Sequence, residues 1–290
     1  MQLLALMISH YLAESKKNLI FRMDSGSIQL QGSQLSYWTS GKGTAILFLH
    51  GFCEDHTIWD EFVSPFIKDY MVILPDISGF GKSSLPNQPC SIDFYADCIR
   101  AILDAEKVSS CLMIGHSLGG YITLNFATRY GNYLSGFGLF HSTAFEDDEA
   151  KKEDRTRVAE SVRKYGETSF VKELYKILFA APYLSSHQQE VEALRKYAAE
   201  ISSVEGIAQA SLAMKDRKDT TEVLKQSKVP VLFLIGKEDK AISLEKTLPL
   251  THLPDRAVIC LLDGVGHMGM FEAQEETQKE IFKWLEVCGK

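Results

Sequence analysis

A serine with a glycine two positions away on each side is the first candidate for chemistry. The segment LMIGHSLGGY contains Gly115, Ser117 and Gly119 in a G-x-S-x-G pattern, between an apolar run and a segment with helical periodicity. A serine on a sharp strand-to-helix turn holds its hydroxyl exposed, and glycines leave room for that turn. The start of the following helix adds free N–H groups and a positive dipole end that would stabilise an oxyanion. The pattern therefore predicts that Ser117 is a nucleophile.

A serine nucleophile needs a general base, and the base needs an acid that orients it. His267, one of eight histidines, lies in a glycine-rich loop directly after the last apolar run. Asp239 lies in the polar loop after the preceding apolar run, with Glu238 beside it as the alternative acid. We therefore predict a triad of Ser117, Asp239 and His267. The competing interpretations are a capping role for the histidine and a solvated loop carboxylate for the acid.

Three other patterns resemble nucleotide-binding or catalytic motifs but lack the context of those motifs. GVGHMG, at residues 264–269, matches G-x-G-x-x-G. The dinucleotide fingerprint must open a strand–helix–strand unit, and only one helix follows here. PDISGFGKSS ends like a P-loop, but Asp76 takes the place of the first glycine. Two S-x-x-K matches, at Ser161 and Ser243, have no companion motif. We expect no cofactor, and we assign the glycines to a sharp turn before His267.

Short, continuously apolar runs alternate with helical segments over most of the chain. Such runs indicate strands that are buried on both faces, and their alternation with helices predicts an open α/β sheet. Before them, an alternating segment at residues 27–38 predicts a β-hairpin. The predicted strands are Ala45 to His50, Met71 to Pro75, Ser110 to Gly115, Leu134 to Phe140, Val229 to Gly236 and Ala257 to Leu262. The predicted helices are Thr57 to Lys68, Ser91 to Glu106, Leu118 to Tyr130 and Glu272 to Cys288.

Residues 145–226 break this alternation, because they contain amphipathic helical segments and no strand-like run. An insertion between two buried strands is expected over the carboxyl ends of the sheet, where α/β folds bind ligands. We therefore predict an N-terminal extension at residues 1–26, an α/β core at residues 27–144 and 227–290, and a helical cap at residues 145–226.

Charge and cysteine content limit the classes of partner. The chain has 290 residues and a formal net charge of −7. A nucleic-acid partner is therefore disfavoured, because a polyanion is normally met by a basic surface. The six cysteines stand singly, without a C-x-x-C pair or the spacing of zinc ligands. We expect buried, reduced thiols and no metal site.

The sequence also bears on targeting. No run of about 18 apolar residues is present, so we expect no membrane span. The opening segment MQLLALMISHYLAESKK has its lysines after a short apolar run, whereas a secretory signal has positive charge before it. We expect a surface helix or an extended start there and a cytoplasmic protein. The alternative is a cleavable segment before Met23.

The motifs together resemble the α/β-hydrolase fold superfamily, from about Ser27 to the C-terminus. FLHGF resembles the H-G segment of that family, and PDISGFGKS resembles its D-x-x-G-x-G-x-S loop. The G-x-S-x-G turn, the Asp239 loop and GVGHMGMFE then follow in the family's order of serine, aspartate and histidine. The resemblance implies an oxyanion hole made by the backbone N–H groups of Phe52 and Leu118. It assigns structural roles to His50, Gly51, Asp76, Gly79 and Gly81.

The resemblance implies a capped serine hydrolase that needs neither a cofactor nor a metal. Ser117 would form an acyl-enzyme, His267 would act as base and then as acid, and Asp239 would hold the imidazole. A small carboxylic ester is the favoured substrate, because a cap encloses a pocket. Relatives with the same triad cleave C–C or amide bonds, and others on this fold are small-molecule receptors, so these are the alternatives. We expect a small-molecule substrate as partner, and a monomer or homodimer. His116 is expected to pack rather than to catalyse, and Cys53 to be buried and inert.

Overall fold

A computed structural model describes residues 23–289, and these residues contain eight β-strands. The strands are β1 (Asp24–Leu30), β2 (Ser33–Ser40), β3 (Thr44–Leu49), β4 (Tyr70–Pro75), β5 (Cys111–His116), β6 (Leu134–Phe140), β7 (Val231–Gly236) and β8 (Ala257–Leu262). They form one sheet in the order β1-β2-β4-β3-β5-β6-β7-β8. β2 is antiparallel to both of its neighbours, and the other pairs are parallel. The expectations for residues 1–22, a surface helix or an extended start, fall outside the described residues.

The central strands are buried along their whole length and mostly apolar, because both faces of the sheet are covered. All six residues of β5 are buried, and so are all six of β7. β8, at the edge of the sheet, alternates more strongly, since Ile259 and Leu261 are exposed while Cys260 and Leu262 are buried. The apolar runs that we predicted to be strands are strands. A continuously buried run marks a central strand, and an alternating run marks an edge strand.

The helices around the sheet follow the strands in the expected alternation. They are α1 (Ile92–Ala105), α2 (Leu118–Tyr130), α3 (Glu149–Tyr165), α4 (Glu167–Leu178), α5 (Ala181–Ser186), α6 (Gln188–Ile201), α7 (Val204–Lys215), α8 (Thr221–Gln226), α9 (Leu244–Thr247), α10 (Gly269–Glu272) and α11 (Gln274–Cys288). Ser91 caps α1 by accepting a hydrogen bond from the Phe94 N–H group. The C-terminal helix that we predicted as continuous is divided at Ala273, whose φ of −147° is not helical. Among residues 23–289, none of the helices has the length and apolarity that crossing a bilayer requires.

The chain between β6 and β7 contains the helices α3 to α8. We call this stretch, residues 149–226, the helical segment. Its α3 packs against α7, and α4 packs against α3 and α6. As predicted, the helical segment contains helices and no β-strand among its described elements. The division of the chain into an extension, a core and a cap stays a prediction.

The predicted helix from Thr57 to Lys68 is wrong. The structure has a short 3₁₀ helix, His56–Trp59, followed by turns. Pro65 lies in the middle of the predicted helix, where it lacks an N–H group and clashes with the preceding turn. Three aromatic side chains of this segment are buried instead against Phe48 of β3: Trp59, Phe62 and Phe66. Their burial, rather than a regular backbone, holds the segment on the sheet.

Loops that begin at the carboxyl ends of parallel strands meet at one edge of the sheet. β3 leads into Gly51, β5 into Ser117, and β6 into His141. β7 leads into the loop with Asp239, and β8 into the loop with His267. The topology therefore brings the loops after these five strands to one edge of the sheet, although they are far apart in the sequence.

We predict that Trp59→Ala destabilises the protein by about 3 to 5 kcal/mol, because it leaves a large cavity under β3. Tyr165→Ala, which removes an exposed aromatic ring of α3, should stay within about 0.5 kcal/mol of the parent. Urea denaturation followed by far-UV circular dichroism measures both. Equal stabilities of the two variants would show that the aromatic cluster does not anchor this segment.

Candidate active site

Ser117 stands on a sharp turn between β5 and α2. Its backbone angles, a φ of 50° and a ψ of −111°, lie in a region that residues other than glycine rarely adopt. Its N–H group donates to the carbonyl oxygen of Phe140, 3.0 Å away, which ties the turn to β6. A Cβ atom added to Gly115 would lie 2.1 Å from the carbonyl oxygen of Gly119. Glycine at position 115 is therefore required by the turn, as the sequence pattern implied.

Asp239 and His267 form a hydrogen-bonded pair beside this turn. The Nδ1 atom of His267 lies 2.7 Å from Oδ2 of Asp239, and both side chains are buried. The other carboxylate oxygen, Oδ1, accepts the N–H groups of Ala241 and Ile242 at 2.8 and 2.9 Å. Because a carboxylate only accepts, Nδ1 carries the proton. The Nε2 atom of the neutral ring therefore keeps a lone pair, as a general base requires.

The pair shifts the titration of both of its members. Burial lowers the pKa of His267, but the carboxylate of Asp239 outweighs burial and the pKa is raised overall. Burial raises the pKa of Asp239, but the His267 ring and its hydrogen bond outweigh burial, so this pKa is lowered overall. Each group thus favours the charged state of the other.

The imidazole of His267 lies next to the serine turn. Its ring centroid is 4.8 Å from that of His116, the residue before Ser117. Within residues 23–289 the Ser117 hydroxyl and His267 are not joined by a hydrogen bond of 3.5 Å or less. Such bonds are often long without a substrate and tighten when one binds. The structure therefore brings the three predicted residues to one place, with the acid and base already paired.

The two predicted oxyanion donors lie on rigid backbone. Leu118 is the first residue of α2, where an N–H group has no acceptor within the helix. Phe52 follows Gly51, whose N–H group donates to Oε2 of Glu54 at 2.6 Å. We call residues 50–54 the oxyanion loop. The ring of His50 fastens its start: Nε2 accepts the Ile77 N–H group and Nδ1 donates to the Gly51 carbonyl, both at 2.8 Å.

His141 supports the acid and base loops, a role that sequence reasoning missed. Its ring is buried, with Nδ1 3.0 Å from the Gly236 nitrogen and Nε2 3.2 Å from the Gly269 nitrogen. A neutral imidazole has one unprotonated nitrogen, so the ring accepts a hydrogen bond from one of these N–H groups and packs against the other. Gly236 begins the loop of Asp239, and Gly269 ends the loop of His267. Burial holds the pKa of His141 well below its usual range, so the ring is neutral. No local pattern around this residue signals such a role in the sequence.

Glu272 fastens the backbone on both sides of His267. Its carboxylate accepts the N–H groups of Gly266 and Met268 at 3.0 Å, and that of Ala180 in the helical segment at 2.8 Å. The N–H group of His267 itself donates to the Leu178 carbonyl oxygen at 2.6 Å. The helical segment is therefore bonded directly to the His267 loop. Glu272 belongs to the GVGHMGMFE motif, but that motif did not indicate its partners.

Asp55, His56 and Asp76 lie close enough together to offer ligands to a metal ion. Their atoms are already engaged, however. Oδ1 of Asp76 contacts Nδ1 of His56 at 2.8 Å, and Oδ2 accepts the Lys82 N–H group at 2.7 Å. Oδ2 of Asp55 accepts the hydroxyl of Tyr197 in α6 at 2.8 Å. These hydrogen bonds connect the loops that contain Asp55 and Asp76 to each other and to the helical segment. This agrees with the structural role implied for Asp76.

Cys53 follows Phe52 with a φ of 63° and is fully buried. Burial raises the pKa of its thiol far above the usual range. The thiolate, which is the reactive form, is therefore scarce near neutral pH. Cys53 is buried, as expected from the sequence, and its low reactivity stays a prediction.

We predict that Gly119→Ala destabilises the protein by about 1 to 3 kcal/mol, because its Cβ would lie 2.6 and 2.7 Å from the carbonyl oxygens of Leu49 and His50. Gly131→Ala, at the end of the same helix, has open space and helical dihedrals. It should be neutral or stabilising by up to about 1 kcal/mol. Urea denaturation of both variants measures the difference. A Gly119→Ala variant as stable as Gly131→Ala would show that the turn can accommodate a Cβ atom at position 119.

Comparison with known proteins supports the fold that the sequence predicts. A family described as "alpha/beta hydrolase fold" matches residues 44–274. Lipase 1 of Psychrobacter immobilis is 25% identical over 255 residues, which cover 85% of this chain and 78% of the lipase. A 2-hydroxy-6-oxo-6-(2'-aminophenyl)hexa-2,4-dienoic acid hydrolase of Metapseudomonas resinovorans is 25% identical over 265 residues, 88% of each chain.

A solved structure gives the same result for the backbone. A thermophilic esterase from Thermogutta terrifontis superposes with a TM-score of 0.86 and 26% identity, over 91% of this chain and 100% of the esterase. The family match covers most of the chain, and the mostly parallel, helix-flanked sheet agrees with it. The predicted fold class is confirmed, and the chain belongs to the alpha/beta hydrolase fold family.

Proposed function

We propose that this protein is a serine esterase that hydrolyses a small carboxylic ester through an acyl-enzyme. The observation that carries the proposal is the buried 2.7 Å contact between His267 Nδ1 and Asp239 Oδ2, beside a serine on a strained turn. An imidazole held in this tautomer can accept the Ser117 proton at Nε2. The alkoxide then attacks the ester carbonyl.

In the proposed mechanism, negative charge develops on the carbonyl oxygen as Ser117 attacks. The backbone N–H groups of Phe52 and Leu118 would donate hydrogen bonds to that oxygen. His267 returns its proton to the leaving alcohol and the acyl-enzyme remains. Water, activated by the same imidazole, then releases the carboxylic acid. The negative charge of Asp239 stabilises the imidazolium in both steps.

The surroundings of the oxyanion loop favour an uncharged ester. The Phe52 ring packs edge-on against Phe170 of α4, with centroids 5.7 Å apart, and against Phe80, 6.0 Å apart. We propose that this apolar cluster lies beside the acyl or alkyl chain of the substrate, since small-molecule sites are lined mostly by apolar side chains. The helical segment is bonded to the His267 loop through the Leu178 carbonyl oxygen, and we infer that it limits the space beside the proposed site. A compact substrate fits this arrangement better than a polymer.

C–C bond hydrolysis is the second candidate, because a relative of 25% identity is described as a hydrolase of a dienoic acid. The same nucleophile and base would serve both reactions. A dienoic acid carries a carboxylate that requires a polar or cationic partner, whereas the side chains in contact with Phe52, those of Phe80 and Phe170, are apolar. This difference favours the ester.

We predict that Ser117→Ala lowers the turnover of p-nitrophenyl esters by roughly a factor of 10⁴ or more, because the nucleophile is lost. Ser185→Ala, at an exposed position of α5, should retain the parent rate. Steady-state kinetics with acyl chains of increasing length, together with labelling by a fluorophosphonate probe, measures the effect. Retained turnover by purified Ser117→Ala protein would refute the assignment. Probe labelling of the parent without ester turnover would direct the search to C–C substrates, amides or a receptor role.

We predict that kcat/KM falls as the pH decreases through an apparent pKa above 6.5, the ordinary value for histidine, because protonated His267 cannot act as a base. Asp239→Asn removes the charge that raises this pKa, so the acid limb should move to lower pH. The rate should also fall on the order of 10⁴-fold, because the amide no longer enforces the tautomer. Glu238→Gln, at the exposed neighbouring position, is the matched control. An acid limb that moves in Glu238→Gln and not in Asp239→Asn would assign the acid to Glu238.

A further inference from the structure

We propose that Glu54 and His116 form a buried ion pair that joins the oxyanion loop to the His267 loop and positions both for the reaction. This inference rests on the proposed function for its catalytic consequence, whereas the ion pair itself is a property of the folded chain. Both are positioning residues, because they act through the backbone of the residues that would touch the substrate.

The hydrogen-bond partners of the His116 ring define its protonation state. Nδ1 lies 3.0 Å from Oε2 of Glu54, and Nε2 lies 2.9 Å from the carbonyl oxygen of His267. A backbone carbonyl only accepts, so Nε2 carries a proton. An ionised carboxylate also only accepts, so Nδ1 carries a proton as well. With Glu54 ionised, the ring donates from both nitrogens, which makes it an imidazolium.

The ionised state of Glu54 has structural support. Its Oε2 atom also accepts the Gly51 N–H group at 2.6 Å, a second donor on the same oxygen. Burial raises the pKa of Glu54, but the adjacent His116 ring, its hydrogen bond and the Gly51 N–H group outweigh burial and lower the pKa overall. Two donors on one oxygen favour the carboxylate over the neutral acid.

The pair lies in an environment with little solvent screening. Both side chains are buried, and the edges of the Trp59 and Phe140 rings approach His116 with centroid distances of 6.4 and 6.1 Å. The titratable rings that face it are His267 at 4.8 Å and His141 at 6.3 Å. Burial keeps the pKa of His141 low, so it adds no competing charge. A buried charge that loses its partner is costly, so the two residues depend on each other.

The connection passes through each part of the proposed site. Gly51 precedes Phe52, whose N–H group is a proposed oxyanion donor, and His116 precedes Ser117. The path runs from the Gly51 N–H group through Glu54 and the His116 ring to the His267 carbonyl. A Cβ atom on Gly51 would lie 2.7 Å from Nδ1 of His116 and 2.8 Å from Oε2 of Glu54, so the packing is close. The buried pair is therefore a direct link between the proposed oxyanion donor and the proposed base, in addition to the bonds that hold each loop separately.

The protonation state can be measured on the unmodified protein. In ¹⁵N-histidine-labelled protein at pH 8, we expect the His116 ring to show two protonated nitrogens, assigned by the loss of its signals in His116→Gln. A ring with one protonated nitrogen would overturn the ion pair. This measurement needs no substrate, so its result stands even if the protein hydrolyses no ester.

The positioning role is tested by Glu54→Gln, which keeps the shape and an oxygen that can accept the Gly51 N–H group but removes the charge. We expect kcat for p-nitrophenyl esters to fall about 10- to 100-fold with KM changed by less than about twofold, because a misplacement on the order of 1 Å costs about 100-fold. Glu61→Gln, an exposed change in the following turn, is the matched control and should keep the parent kcat. Unchanged kcat in folded Glu54→Gln would overturn the positioning role. Absence of turnover in the parent would instead refute the proposed esterase.

Discussion

The parallel pairing of β3 to β8 is the constraint on which the site depends. Parallel strands that are adjacent in a sheet all end at the same edge, so the loops that follow them are neighbours whatever their distance in the sequence. Ser117 and His267 are 150 positions apart in the chain. The ring of His116, the residue before Ser117, is nevertheless hydrogen-bonded to the backbone carbonyl oxygen of His267. The strands themselves contribute no reacting atom. They determine where the loops begin, and side chains within the loops determine the rest.

Those loops are held by buried polar groups rather than by regular backbone pairing. Asp239 caps its own loop through two N–H groups and still offers an oxygen to His267. Glu272 accepts the N–H groups on either side of the base. Such groups are stabilising only when they are satisfied, because a buried carboxylate without donors costs several kcal/mol. The loops around the site are therefore as strongly specified as the sheet, but by electrostatics in place of apolar burial.

Much of this architecture could be predicted from the sequence, and the successes share a physical cause. Apolar runs identify buried strands since both faces must be covered, and the G-x-S-x-G pattern identifies a turn with no space for side chains. The helix predicted from Thr57 to Lys68 failed because apolar spacing suits an aromatic-anchored irregular segment as well as a helix, and Pro65 decided between them. Asp239 was preferred to Glu238 from the loop alone, and the structure pairs Asp239 with His267. The roles of His141, Glu54 and Glu272 depend on contacts between distant segments, which no local pattern reports.

The hydrogen bond from the His267 N–H group to the Leu178 carbonyl has a thermodynamic consequence. Any outward movement of residues 178–180 breaks this bond and also releases Ala180 from Glu272. Movement of residues 178–180 and the placement of the His267 backbone would therefore be linked equilibria, and each would bias the other by the same free energy. A ligand that held these residues in their present position would also favour the present position of the His267 backbone, even without touching it. In the proposed mechanism, a form with these bonds broken would keep Ser117 in place but lose two of the contacts that hold the His267 loop against the helical segment.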